Sequence, residues 1–122
     1  MTEKQIQKKR ESMPKVHERF ANLLREGKEQ ATLMSDIMSV LNIQDRRQAY
    51  QIVEDLINKY HYPIGANRSG EHRGYFLIST EDELEEVVTV QRASVESEMK
   101  KIDNTIRNFR SISKVMERSG AI

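Results

Sequence analysis

The sequence predicts a mainly α fold of the small α+β kind, in which a helix-turn-helix is followed by a β-hairpin and a long C-terminal helix. Three observations predict it. Apolar residues recur at helical spacing in three short segments between Pro14 and Ile57. Pro63-Ile64 and Gly74-Tyr75-Phe76-Leu77-Ile78 then bracket a turn-rich loop with two glycines. Beyond Thr80, no proline or glycine interrupts the chain until Gly120.

A chain of 122 residues is long enough for one compact core and too short for two. Apolar residues make up 37% and charged residues 32%, so part of the chain must be extended helix or tail with one buried face. The formal net charge of +1 argues against a protein whose whole surface is basic. Charge is instead local: residues 1–80 carry 13 Lys/Arg against 10 Asp/Glu, and residues 81–122 carry 7 against 9. With no cysteine there can be no disulfide, thiolate zinc site or thiol nucleophile. The polar N-terminus lacks an apolar leader core, and no window approaches the ~18 apolar residues of a membrane span, which predicts a soluble, cytoplasmic protein without membrane contact.

Residues 1–13 hold Lys4, Lys8, Lys9 and Arg10 with only Ile6 and Met13 as apolar anchors, and are expected to form a flexible basic arm. A compact domain is expected over 14–79. Pro14 suits a first helical turn, and Val16, Phe20, Leu23 and Leu24 repeat at helical spacing, so helix one is expected over Pro14 to Glu26. Gly27 to Gln30 should turn the chain, with Ala31-Thr32 as a brief strand. Leu33, Ile37, Val40 and Leu41 share one face of a second helix over Leu33 to Leu41, capped by Thr32 or Ser35. Asp45 followed by Gln48 resembles a capping box, which starts helix three after a turn of three to four residues.

Helix three, residues 45–60, buries Ala49, Ile52, Val53, Leu56 and Ile57 and turns Arg46, Arg47, Tyr50, Gln51 and Glu54 outward. Recognition helices read base edges with their N-terminal half, where Arg suits guanine and Gln suits adenine. Arg46, Arg47, Tyr50 and Gln51 are therefore the candidate readers of double-stranded DNA. Two cations at a helix N-terminus oppose the helix dipole, a placement that local stability does not favour. Pro63 ends the helix, and the loop 65–74 carries Arg68 and Arg73, candidate contacts to phosphates or to a narrow minor groove. His72 reads as an exposed loop residue, Tyr75 and Phe76 as core.

The run Leu23-Leu24-Arg25-Glu26-Gly27-Lys28, Leu41-Asn42-Ile43, Arg46-Arg47, Leu56-Ile57, Tyr62-Pro63-Ile64 and Gly74-Tyr75-Phe76-Leu77 resembles small phage and prophage winged helix-turn-helix proteins. It is more distantly similar to the DNA-binding domain of biotin-repressor-type regulators. The resemblance covers residues 14 to about 90. It implies a winged helix-turn-helix that binds DNA in transcription regulation or in a replication region. No ligase or effector domain follows, so ligand sensing is not implied.

Thr80 and Glu83 form a capping box that starts a helix expected to reach about Arg118, roughly 58 Å at ~1.5 Å per residue, with 119–122 as a tail. Leu84, Val87 and Val88 are expected to pack on the preceding domain. Val88, Val95, Ile102, Phe109 and Met116 recur every seven residues, joined by Met99, Ile106 and Ile112 and interrupted by Gln91, Glu98 and Thr105. This coiled-coil seam over 80–118 predicts a homodimer. Residues 81–98 hold seven acidic and one basic residue, and 99–118 six basic and two acidic, which favours antiparallel pairing.

The chemistry of an enzyme is missing from the sequence. His17, His61 and His72 lie on different elements without a metal-ligand spacing, and Gly65, Gly70 and Gly74 lack the order of a phosphate loop. No catalytic residue, metal or cofactor is expected. The competing reading is a protein-interaction module or replication-region accessory protein, in which the winged domain or the coil binds a host or phage protein.

Overall fold

The computed structural model describes residues 1–118 and Gly120, without the side chains of Ser113 and of residues 115–118. The elements are α1 (Glu3–Glu11), α2 (Lys15–Leu23), a 3-10 turn (Lys28–Gln30), α3 (Met34–Leu41), α4 (Arg46–Asn58), β1 (Ile64–Asn67), β2 (Gly74–Leu77) and α5 (Glu81–Arg118). The fold is mainly helical, with one two-stranded antiparallel sheet and a long C-terminal helix. It separates into two compact units, Met1–Val87 and Val88–Ile122. The first unit is wider than the expected 14–79, because it takes in α1 and the opening turns of α5.

Residues 3–11 are helix, where a flexible arm is expected from the sequence. Thr2 and Gln5 cap it reciprocally: the Thr2 hydroxyl accepts from the Gln5 amide at 3.3 Å and the Thr2 amide donates to the Gln5 side chain at 2.9 Å. Glu3 in the first turn and Lys8, Lys9 and Arg10 in the last all complement the helix dipole. The tertiary anchor is Arg10. Its guanidinium donates to the Tyr60 carbonyl at 2.9 Å and the His61 carbonyl at 2.7 Å, and lies 3.9 Å from the centre of the Tyr62 ring. One side chain thus satisfies carbonyls just past the end of α4, where no further helical turn supplies donors. Arg10→Ala is expected to destabilise the first unit by about 2 kcal/mol, for two charge-assisted bonds and the stacked ring. A urea midpoint unchanged by this substitution would show that α1 contributes nothing to the fold.

α2 ends at Leu23, three residues before the expected Glu26, because the edge of β2 captures the backbone that follows. The Leu77 amide donates to the Arg25 carbonyl at 2.8 Å and the Gly27 amide to the Leu77 carbonyl at 2.9 Å. The brief strand expected at Ala31-Thr32 reduces to a single antiparallel bridge, Thr32 to Tyr75, closed by bonds of 2.9 and 2.8 Å. β2 is therefore held on both edges: Tyr75 and Leu77 bond to segments 25–27 and 32, while β1 pairs from Ile64 with Leu77 to Asn67 with Gly74.

α3 starts at Met34 after Leu33, and neither Thr32 nor Ser35 caps it as expected. It buries Met34, Ile37 and Leu41, whereas Leu33 and Val40, expected on the same face, are 41% and 61% exposed. Val40 sits about 100° round the helix from Leu41, which turns it off the core. Asn42 terminates α3 in the left-handed region (φ 56), with the Ile43 amide reaching the Met38 carbonyl at 2.9 Å. Asn tolerates that conformation and closes the helix without glycine. Ile43 then enters the core. α4 buries Ala49, Ile52, Val53 and Leu56, but Ile57, expected with them, is 38% exposed. Phe20, Ile37 and Leu56, all fully buried, join α2, α3 and α4 in one core against which Tyr75 and Leu77 of β2 pack, while the equally buried Phe76 lies against Gly65 of β1.

α5 is tied to the first unit by its opening turns. The Thr80 hydroxyl caps it by accepting from the Glu83 amide at 3.1 Å. The Glu83 carboxylate accepts from the Lys28 amide at 2.9 Å and from the amide and hydroxyl of Ser79 at 2.9 and 3.1 Å. These donors, the Lys28 amide foremost, hold the Glu83 carboxyl below its ordinary pKa. Lys28 also pairs with Glu86 at 3.0 Å. Val87 lies against Gly65, where a Cβ would come within 2.7 Å of its methyl group. Leu84, expected to pack here, is 42% exposed. No described helix is long and apolar enough to cross a membrane.

Candidate nucleic-acid interface

The turn between α3 and α4 spans Asn42 to Asp45, and its geometry sets which side of α4 faces outward. Asp45 is the N-cap, its carboxylate accepting from the Arg47 amide at 3.0 Å. No return bond from Gln48 completes the expected capping box among the described residues. With Ala49, Ile52 and Val53 buried, helical geometry leaves Arg46, Arg47, Tyr50 and Gln51 on the outer side, and all four are exposed. Tyr50 is 46% exposed. Gln51 is not free: its amide nitrogen donates to Asp55 at 3.0 Å, a bond it would exchange to reach a base.

Asp55 is the centre of a small polar network on the inner flank of α4. His17 of α2 meets its carboxylate at 2.9 Å, and Lys59 approaches at 3.6 Å. The His17 bond is the largest influence holding the Asp55 carboxyl below its ordinary pKa, with partial burial opposing it. This network fixes α2 against α4 and leaves the arginines outside it.

The loop between β1 and β2 comprises residues 68–73. Asn67 braces it by donating its side-chain amide to the His72 carbonyl at 2.7 Å. Gly70 takes a positive φ of 84 at the tip. Arg68 and Arg73 are exposed on this loop, as is Glu71, which dilutes its positive charge. The four ion pairs among the described residues, His17 with Asp55, Lys28 with Glu86, Lys59 with Asp55 and Lys101 with Glu98, use none of Arg46, Arg47, Arg68 or Arg73. None of these four guanidinium groups is within ion-pair distance of a carboxylate among the described residues.

Tyr75 relates α4 to the hairpin. It sits half-buried on β2 at the Thr32 bridge and packs on the core, the place expected for it. Burial raises the pKa of its phenol; a negative charge on Tyr50 would raise it further, and Arg68 works against both. Tyr50 from α4 and Arg68 from the loop therefore lie within electrostatic reach of one side chain. Arg46, Arg47 and Arg73 share their exposure.

Arg10, Asn67 and Glu83 brace this arrangement without being legible as such in the sequence, because each acts on backbone that is distant or about to turn. The described residues contain no cluster of three or more His, Asp or Glu side chains able to hold a metal ion. Compared with known proteins, the chain matches no family model, no curated protein and no solved structure.

Proposed function

We propose that residues 1–87 are a winged helix-turn-helix that binds double-stranded DNA, with α4 in the major groove and the hairpin against the adjacent backbone, and that the protein is a non-enzymatic regulator of transcription of the phage and prophage type. The carrying observation is the set of four exposed arginines, none paired among the described residues, divided between the outer side of α4 and the hairpin loop. Arginine side chains left unpaired on a polar surface suit phosphate and guanine, which supply the planar acceptors a guanidinium matches. Arg46 and Arg47 read bases in this account, with Tyr50 and Gln51 beside them, and Arg68 and Arg73 hold the backbone. Two copies act together, joined through α5, because one small module buries limited DNA surface and linked modules gain by effective concentration.

Salt dependence tests the proposal. Affinity for duplex DNA should fall linearly on a logarithmic salt scale, with a slope near −0.9 per phosphate contact and thus roughly −2 per module from Arg68 and Arg73. A flat response over the same range would remove DNA as the partner and favour a protein target.

A further inference from the structure

We infer that α5 pairs with α5 of a second copy in antiparallel orientation, in one register that places Met99 against Phe109 of the other copy and Ile102 against Ile106. This rests on the dimer proposed above and adds its orientation. Val95, Met99, Ile102, Ile106 and Phe109 follow one another at alternating steps of four and three residues, the spacing of a coiled-coil seam. They are 59%, 60%, 56%, 45% and 71% exposed, so the chain itself does not cover them. Ile112, 58% exposed, falls one position off this spacing, and the Met116 side chain, also assigned to the seam from the sequence, lies outside the described residues.

The flanking charges choose the orientation. In a parallel pair, Glu98 of each copy would face Asp103 of the other, like charge against like. Glu98 holds Lys101 at 3.7 Å on its own helix, which softens that repulsion without reversing it. In the antiparallel register, Glu96 faces Arg110 of the second copy, and symmetry supplies the contact twice. One unfavourable contact remains, Asp103 beside Asp103 at the axis, with Arg107 one turn along the same helix to offset it. Each exposed pair contributes little energy, yet together they separate two alternatives that bury the same seam. An antiparallel coil sends the two winged modules off opposite ends; a parallel coil sends both off the same end.

The chain has no cysteine, so single spin labels can be placed cleanly. In full-length protein labelled at Val90→Cys, this register sets the two labels about 42 Å apart along the axis, while labels at Asn104→Cys lie at the centre, roughly 20 Å apart across the coil. Short distances at both positions would overturn the antiparallel orientation and leave the dimer standing. No intermolecular distance at either, with a monomer mass in sedimentation, would overturn orientation and dimer together. A charge swap tests the register independently: Glu96→Arg should weaken dimerisation several-fold and Arg110→Glu should restore it in the double variant, whereas absence of rescue would refute the Glu96 to Arg110 contact.

Discussion

Gly74→Ala is expected to be the most damaging single-atom change in the first unit, lowering its stability by roughly 3–5 kcal/mol from backbone strain and overpacking together. A Cβ at this position would lie 2.1 Å from the Thr32 carbonyl oxygen, 2.3 Å from its carbon and 2.7 Å from the Leu33 amide nitrogen. All three are backbone atoms, so no rotamer change relieves the overlap. The φ of 131 is one that L residues rarely adopt, which adds strain even after relaxation. The clash falls where β2 bonds to Thr32 just ahead of α3, so the helix pair and the hairpin would be pushed apart. Urea unfolding followed by circular dichroism should show the loss as a lowered midpoint. A loss below about 1 kcal/mol would mean the approach of β2 to Thr32 is looser than described.

The second large effect separates the two groups of arginines by what they read. Arg46→Ala and Arg47→Ala are each expected to cost about 1–3 kcal/mol on a selected site and far less on scrambled duplex, because base contacts are lost only where the right bases are present. Arg68→Ala and Arg73→Ala should weaken both duplexes alike and reduce the salt slope by about 1 each. All four side chains are exposed and outside the internal ion pairs, so none of these variants should alter unfolding. Affinity unchanged in all four would remove this face as the binding surface. Equal losses on both duplexes for Arg46 and Arg47 would demote α4 from reading sequence to holding phosphate.

Much of the architecture is legible in the residues because local signals agree with one another. Pro63 and Gly74 bracket the hairpin, since one stands directly before β1 and the other permits a backbone position closed to side chains, and the strands run from Ile64 and to Leu77 accordingly, although α4 itself has already ended at Asn58. Asp45 marks the start of α4 for the same reason: its carboxylate serves an amide two residues on. Long-range contacts are where reading the chain fails. Thr2-Glu3-Lys4-Gln5 carries a capping signature, but so few apolar residues follow that a tail is expected, and nothing nearby announces that Arg10 meets carbonyls fifty residues away. α2 closes early because β2 competes for its backbone, and no side chain in Leu24 to Glu26 signals that competition. Val40 and Ile57 show the limit of periodicity, as each lies at the margin of an apolar stripe where one helical step decides burial. In the candidate site, residue types point to the outer side of α4 and to the loop, while the bond that ties Gln51 to Asp55 emerges only from the structure.

Glu83 carries a consequence for how this chain can be divided. Truncation at Thr80, the natural place to cut before a helix, would strip the acceptor from the Lys28 and Ser79 amides and uncover Gly65 where Val87 rests. Truncation after Val87 leaves all of these in place. The first two turns of α5 behave as a tenon seated in the preceding body, so the smallest excisable fragment ends partway along a helix rather than at its beginning.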